Sequence, residues 1–317
     1  MQDQEASIAF GPVPSRRLGR SLGVNNIPPK ICSYSCIYCQ IGRTLRFSDQ
    51  RMEYYEPERI FSEVQEKVTL AERRSEKIDY ITFVPDGEPT LDIHLGKEIA
   101  LLKELGKKVA VITNSSLMGM EDVRLSLGAA DLVSIKLDAA SVKVWKQLNR
   151  PKRTLALHTI LDGILAFSRG YNGALITETM LVRGVNDDVN EIAGIAQVLS
   201  EIKPVMSYIS IPIRPPAEPW VEPVDERTLS IAYILFANRS LNTEHLIGYE
   251  GNAFSFTGDI EKDLLSITSV HPMRKDAVCK YLEKANSNWK EVKNLIESEK
   301  LSEVRYKQDT FYVRKLR

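Results

Sequence analysis

The chain has 317 residues, 43% hydrophobic and 26% charged, with 42 Lys and Arg balancing 42 Asp and Glu. This composition fits an ordinary globular protein of about two domains, long enough to bury a core without disulfide staples. Zero net charge excludes a whole-molecule attraction to nucleic acid or membrane, and the absence of any run of about 18 apolar residues excludes a spanning helix. The charge is uneven, however: from Leu265 to Arg317 there are twelve Lys and Arg against seven Asp and Glu, and before that thirty against thirty-five. The opening "MQDQEASIAF" lacks the basic start and apolar run of a secretion signal, so a reducing cytoplasmic location is expected.

In chain order, strands alternate with helices. "SLGVNNI" from Ser21 predicts a first strand that leads into a cysteine-rich loop. A helix over Glu56 to Arg74 precedes "YITFV" from Tyr80, and a second over Leu95 to Leu105 precedes "KVAVIT" from Lys108. "LVSIKLD" from Leu132 follows. The amphipathic stretch Thr154 to Phe167, with Leu155, Ile160, Ile164 and Phe167 on one face, then leads to "ALITETMLV" from Ala174. "SYISIPI" from Ser207 is the sixth strand. Six strands alternating with helices predict an α/β fold with a parallel sheet, closed or partly closed into a TIM-like (β/α)6 barrel. Their C-terminal ends carry Asp86 and Glu88, Asn114 to Ser116, Lys136 and Asp138, Glu178, and Arg214, where barrel enzymes collect their chemistry.

The tail changes character. "RKDAVCKYLEKA" and "NSNWKEVKNLIESEK" read as helices, the second with an Asn cap, and "LSEVRYKQDTFYVRKL" as two strands about a turn. Residues 259–317 are therefore expected to form a small winged-helix domain after a barrel domain of 1–258. Val278, Leu282, Trp289, Val292, Leu295, Ile296 and Tyr312 would face inward. Arg274, Lys275, Lys290, Lys293, Arg305 and Lys307 would be candidate nucleic-acid contacts.

Three of the four cysteines, Cys32, Cys36 and Cys39, lie within eight positions, spaced C-x3-C-x2-C. Clustered thiols in a reducing compartment are metal ligands more often than disulfide partners. Soft thiolate suits an iron–sulfur centre. A [4Fe–4S] cluster held by three cysteines keeps one iron open to an external molecule. Cys279 is the other thiol able to close that corner, although a cysteine in a helix also reads as core. A Cys3His zinc site is the alternative, but His94, His158, His245 and His271 are all distant in sequence. A cluster without catalysis is another.

Cys32-x3-Cys36-x-Tyr38-Cys39, with its aromatic before the last cysteine, resembles the radical S-adenosylmethionine enzymes. "DGEPTL" from Asp86, "TNSS" from Thr113 and "SIKLDA" from Ser134 are similar to that family's strand-end motifs. "GPVPSRRLGRSLGV" and "IPIRPPAEPWVEP" resemble a branch related to the tRNA wybutosine-precursor synthases. The resemblance spans roughly residues 10 to 255 and implies a [4Fe–4S] cluster and S-adenosylmethionine as cofactors. It also implies reductive cleavage of the sulfonium, a 5′-deoxyadenosyl radical and hydrogen abstraction from a substrate, the protein supplying orientation and shielding. Gly87 and Glu88 would meet the methionyl amino group, Lys136 the carboxylate, and Asn114 and Ser115 ribose or carboxylate. Glu178 would meet a ribose hydroxyl, Asn186 the adenine, and Tyr38 would pack near the adenine. Asp86 departs from the family's usual Gly or Ser, and no second cysteine cluster accompanies the first.

The expected partners are a reductase or a flavodoxin- or ferredoxin-type electron donor, and a substrate engaged through the basic tail. RNA is the favoured substrate, with a protein or peptide or a small molecule as alternatives. A non-catalytic, redox-sensing DNA-binding regulator is the reading from another class. Arg16, Arg17 and Arg20 would grip a phosphate or simply lie on the surface. "RPPAEPW" from Arg214 would face substrate or act as a rigid connector.

Overall fold

In the computed structural model, residues 7–248, 251 and 254–315 are described. The chain opens with a hairpin, β1 (Ala9–Ser15) and β2 (Gly19–Val24). Two short parallel strands, β3 (Ile31–Cys32) and β4 (Arg46–Phe47), then bracket the cysteine loop. There follow α1 (Pro57–Arg73), β5 (Tyr80–Phe83), α2 (Leu95–Lys103), β6 (Lys108–Thr113), α3 (Glu121–Gly128), β7 (Leu132–Lys136), α4 (Val142–Leu148), α5 (Leu157–Gly170) and β8 (Ala174–Met180). The sequence continues through α6 (Val189–Ile202), β9 (Met206–Ser210), α7 (Glu226–Ala237) and β10 (Thr243–Leu246).

The sheet runs β1-β2-β5-β6-β7-β8-β9-β10. All neighbours from β2 onward are parallel, and only β1 runs antiparallel. All six expected strands are present, together with a seventh parallel strand, β10. Of the two forms expected, full closure is excluded: the sheet has two edges, β1 and β10. The chain doubles back in β1, placing an antiparallel strand on the edge that a further parallel strand would need.

Residues alternate across the sheet as its pleat requires. Ile81, Phe83, Val109, Val111, Val133 and Ile135 join the helices in the main core, where α1 contributes Ile60, Val64 and Val68 at helical spacing. The other face holds a smaller cluster of Ala110, Leu132, Ile176, Tyr208 and Leu246. Leu18, from the β1–β2 turn, enters this cluster near the N-terminal ends of the strands and forms a floor. Several helices begin at side-chain caps, among them Ser141 accepting from Val144 N (3.3 Å), Asp188 from Asn190 N (2.9 Å) and Asp225 from Thr228 N (2.8 Å). Helix α5 starts at Leu157 instead of the expected Thr154, whose hydroxyl is bound to Asp49 instead.

The C-terminal elements are α8 (Ile260–Val270), β11 (Met273–Arg274), α9 (Lys275–Lys284), α10 (Lys290–Glu297), β12 (Leu301–Tyr306) and β13 (Asp309–Arg314). They form three helices and a three-stranded antiparallel sheet in the order β11-β13-β12. Val278, Leu282, Val292, Leu295 and Tyr312 are buried there as expected, while Trp289 and Ile296 pack at the margin. Phe10 and Val13 of β1 belong to this same core. Further ties cross to the sheet: Lys284 to Glu76 (2.6 Å), Arg20 to Ser255 (2.8 Å) and Tyr306 OH to Pro212 O (3.2 Å). Among the described residues no helix is long and apolar enough to cross a membrane.

Candidate active site

The cysteine loop is laid across the C-terminal ends of β5 to β7 by backbone bonds at both margins. Lys30 N donates to Asp86 O (2.7 Å) and Glu88 N to Ile31 O (3.1 Å). On the far side Ser35 N donates to Asn149 O (3.0 Å) and Ile37 N to Leu148 O (3.0 Å), fastening the loop to the end of α4. Gly87 is required by this closeness, since a Cβ there would lie 2.0 Å from Ile31 O.

Cys32, Cys36 and Cys39 all face one cavity of about 180 Å³. Tyr38, Gly87, Glu88, Asn114 and Lys136 line it as well, so eight of the expected site residues meet there. Burial pushes all three thiols up, Cys36 to about 12. They are neutral in the metal-free chain, and coordination to a cation is what deprotonates such sulfurs. Two amides already point at the sulfurs: Asn114 Nδ2 lies 3.4 Å from Cys32 Sγ, and Asn149 Nδ2 lies 3.4 Å from Cys36 Sγ. Three thiols round one cavity with N–H donors to sulfur fit an iron–sulfur centre.

The remaining expected residues divide. Lys136 sits 4.7 Å from the Tyr38 ring centroid and 3.4 Å from Glu178 Oε1. Burial opposes its charge, but the Asp138 and Glu178 carboxylates outweigh it and hold its pKa above the usual value. Burial likewise opposes the Glu178 charge, yet Arg17 and Lys136 bring that carboxyl down to about 2. Glu88 is buried, and its acceptors are occupied by Thr90 N (3.1 Å), the hydroxyls of Thr90 and Thr113 (both 2.6 Å) and Asn114 N (2.7 Å). Burial nonetheless raises its pKa. The carboxylate thus braces the strand ends. Tyr38 donates its hydroxyl to Asp138 beneath Lys136.

Two of the expected residues stand outside the cavity lining. Asn186 is fully buried, outside the cavity lining: its amide donates to Asp138 O (2.8 Å) and Met180 O (2.7 Å), and its oxygen accepts from Val182 N (2.8 Å). It braces the turn after β8. Ser115, at φ 67°, also stands behind the lining, its hydroxyl buried without a partner. Cys279 is half-buried on α9 near Tyr312 and is not in the lining of either chamber.

A second chamber of about 290 Å³ adjoins the first through Tyr38, Cys39 and Lys136. Glu178, Arg17, Arg214 and His271 line it, with Phe10, Met180 and Leu246 among its apolar walls. Arg17 is inside, paired with Glu178. Arg20 instead joins β2 to Ser255. Arg214 donates to Gln40 Oε1 (2.8 Å) and meets His271 Nε2 at 3.1 Å, so the C-terminal segment forms part of the wall. The "RPPAEPW" loop puts Arg214 in the chamber lining and is held down further along at Glu218, which takes Arg43 (3.0 Å) and Arg150. Asp86 pairs with Lys30 (3.5 Å), and burial pushes its carboxyl to about 6.

The sequence reading missed Asn149, which follows α4 without any motif to mark it. It noted Asp138 only as a polar strand end. In the structure the Asn149 amide donates to Asp138 (3.0 Å), joining the two beside Cys36.

An open parallel α/β sheet with three thiols at its C-terminal edge defines an enzyme of the iron–sulfur, cofactor-cleaving class. The radical SAM superfamily model matches residues 26–195, and the chain belongs to that superfamily, whose members use a [4Fe–4S] cluster and S-adenosylmethionine. It is 44% identical to a UPF0026 protein of Methanocaldococcus jannaschii over 98% of this chain and 97% of the other. It is 25% identical to a "Probable dual-specificity RNA methyltransferase RlmN" of Thermotoga sp., over 65% of this chain and 59% of that one. Among solved structures, TYW1 with a lysine-pyruvate adduct bound superposes with a TM-score of 0.51 at 18% identity, over 69% of this chain and 74% of that one. The fold is shared with it.

Proposed function

We propose that Cys32, Cys36 and Cys39 hold a [4Fe–4S] cluster in the first chamber, and that S-adenosylmethionine binds beside it for hydrogen abstraction from an RNA substrate. The observation that carries this reading is the convergence of three thiols, the Gly87 turn and charged Lys136 on one cavity. When bound, the cluster supplies one electron to the cofactor's sulfonium, giving a 5′-deoxyadenosyl radical that takes hydrogen from substrate. Lys136, kept cationic by Asp138 and Glu178, holds the cofactor's carboxylate. The Gly87 turn, braced from behind by Glu88, presents its backbone to the amino group. Asn114 and Asn149 steady two of the sulfurs. The second chamber, floored by Leu18 and Arg17, receives the reacting part of the substrate and keeps water from it.

RNA is favoured on two grounds. The C-terminal helices and three-stranded sheet support a winged-helix reading, and Lys275, Lys290, Lys293, Arg305 and Lys307 are exposed on them. Arg274 is withdrawn from that set, because it is tied to Asp276 (2.6 Å). The RNA methyltransferase relative supports the same class.

Anaerobically reconstituted protein with dithionite should convert S-adenosylmethionine to 5′-deoxyadenosine. No product above a Cys36→Ala control would defeat the enzyme reading. Modified nucleosides from cells with and without the gene should differ; unchanged nucleosides alongside an altered peptide would replace RNA by protein.

A further inference from the structure

One margin of the cysteine loop is covered by a single short strand. β4 pairs directly with β3, placing Phe47 opposite Cys32, and Ser48 N donates to Cys32 O at 3.0 Å. On this strand apolar side chains face outward: Leu45 is 70% exposed, Phe47 42%, and nearby Met52 41%. Isolated exposed apolar residues need no explanation, but three gathered over a ligand of a redox centre suggest a contact surface.

The surrounding charge is basic. Arg46 reaches Met52 Sδ (3.6 Å) and has no ion pair among the described residues; Arg153, exposed, has none either. Arg153 is held next to the patch because its neighbours Lys152 (2.6 Å) and Thr154 both bind Asp49, two residues beyond Phe47. The nearby acids are mostly occupied, Asp49 by Lys152 and Asp122 by Arg51, while exposed Glu53 faces His94 at 3.2 Å.

We infer that Leu45, Phe47 and Met52, rimmed by Arg46 and Arg153, form the docking surface for an acidic one-electron carrier protein. Electron transfer weakens steeply with distance, and β4 lies directly against the strand that carries Cys32. A small apolar contact with charge steering suits a transient encounter, which needs less than about 1,200 Å² of buried surface. The step balances: an anionic flavin hydroquinone in the carrier loses one electron to become its neutral semiquinone. The centre held by the three cysteines gains that electron, and no proton moves. The inference rests on the cluster reading above and adds where its electron enters.

Flavodoxin hydroquinone is the probe, mixed anaerobically with cluster-loaded protein while cluster bleaching is followed. Arg46→Glu with Arg153→Glu, and separately Leu45→Glu, should slow reduction by flavodoxin at least tenfold, and the charge-reversed pair should lose the salt dependence of the parent's rate. Reduction by dithionite, a small reductant needing no docking, should be unchanged. Val205→Glu, at a position 58% exposed just before β9 at the N-terminal end of the sheet, should match the parent with both reductants. Parental flavodoxin rates in the patch variants would overturn the assignment, as would an equal slowing with dithionite. A parent dimer that the variants dissociate at unchanged flavodoxin rate would also overturn it. If dithionite yields reduced cluster but no 5′-deoxyadenosine, the enzyme reading fails while the docking result stands on its own.

Discussion

Replacing Glu98 by Gln should stabilise the protein, by an amount that grows with pH. Glu98 and Asp92 are both fully buried behind the Pro89–Leu91 turn that follows the Gly87 loop. Asn26 Nδ2 ties the pair to this turn, lying 3.3 Å from Glu98 Oε2 and 3.1 Å from Pro89 O. Asp92 accepts from His94 N (2.8 Å), so the proton the pair shares sits on Glu98. Burial, then the Asp92 charge, pushes Glu98 to about 9. The folded chain therefore keeps a proton that the unfolded chain releases near its ordinary value of 4.5. Stability from this group is full below about pH 4.5 and declines as pH rises toward 9, at no more than about 1.4 kcal/mol per unit. Glutamine has the same shape, donates to Asp92 as the protonated acid does, and never has to take up that proton. With half the ideal gain kept after the pocket relaxes, the variant should exceed the parent by about 2 kcal/mol at pH 8 and by well under 1 kcal/mol at pH 5. Urea midpoints of the cluster-loaded protein at pH 5, 6.5 and 8 measure this. Parallel stability curves, or a variant weaker than the parent at pH 8, would show that Glu98 is ionised in the fold.

Asn149→Leu removes an N–H from Cys36 Sγ and leaves buried Asp138 short of a donor, costing about 1–3 kcal/mol. It should also lower the cluster's reduction potential by tens of millivolts, read by potentiometric titration with spectroscopic detection; an unchanged potential would remove Asn149 from the site. Gly87→Ala drives a methyl into Ile31 O and should cut bound iron well below the parent's roughly four per chain, while Gly106→Ala, with open space about it, should not. Deleting residues 259–317 uncovers Phe10 and Val13, a loss of about 1.5–3 kcal/mol for each side chain. The truncated chain should aggregate or melt early, and a soluble fragment with the parental urea midpoint would show the two parts to be independent.

The parallel strands were legible because buried β segments such as "KVAVIT" and "YITFV" are short apolar runs between helical stretches. The thiol loop was legible because its spacing is local in sequence. Helix α8 was not. All residues from Asp263 to Val270 are buried, so no polar face marks a period, and "SITS" reads as strand or turn. Its hydroxyls bond back to the helix instead, as Thr268 Oγ1 does to Leu264 O (2.6 Å). The choice between full and partial closure was equally hidden, because strand count alone does not reveal that β1 reverses direction. The surroundings of Asn186 were hidden for a related reason. A polar residue just past a strand reads as ligand-facing, and only the structure shows its amide fully engaged by the chain's own backbone. Arg17 was open to two readings, a phosphate grip or a surface charge, and it lies in the lumen beside Glu178.

The turn carrying Leu18 gives the half-barrel a dead end. The protein's own N-terminal ribbon supplies both the apolar filling of the lower lumen, through Leu18, and the cation that faces Glu178, through Arg17. Val270 and His271 of the C-terminal segment wall the same chamber. Stretches near both ends of the chain therefore help to shape the space beside Lys136.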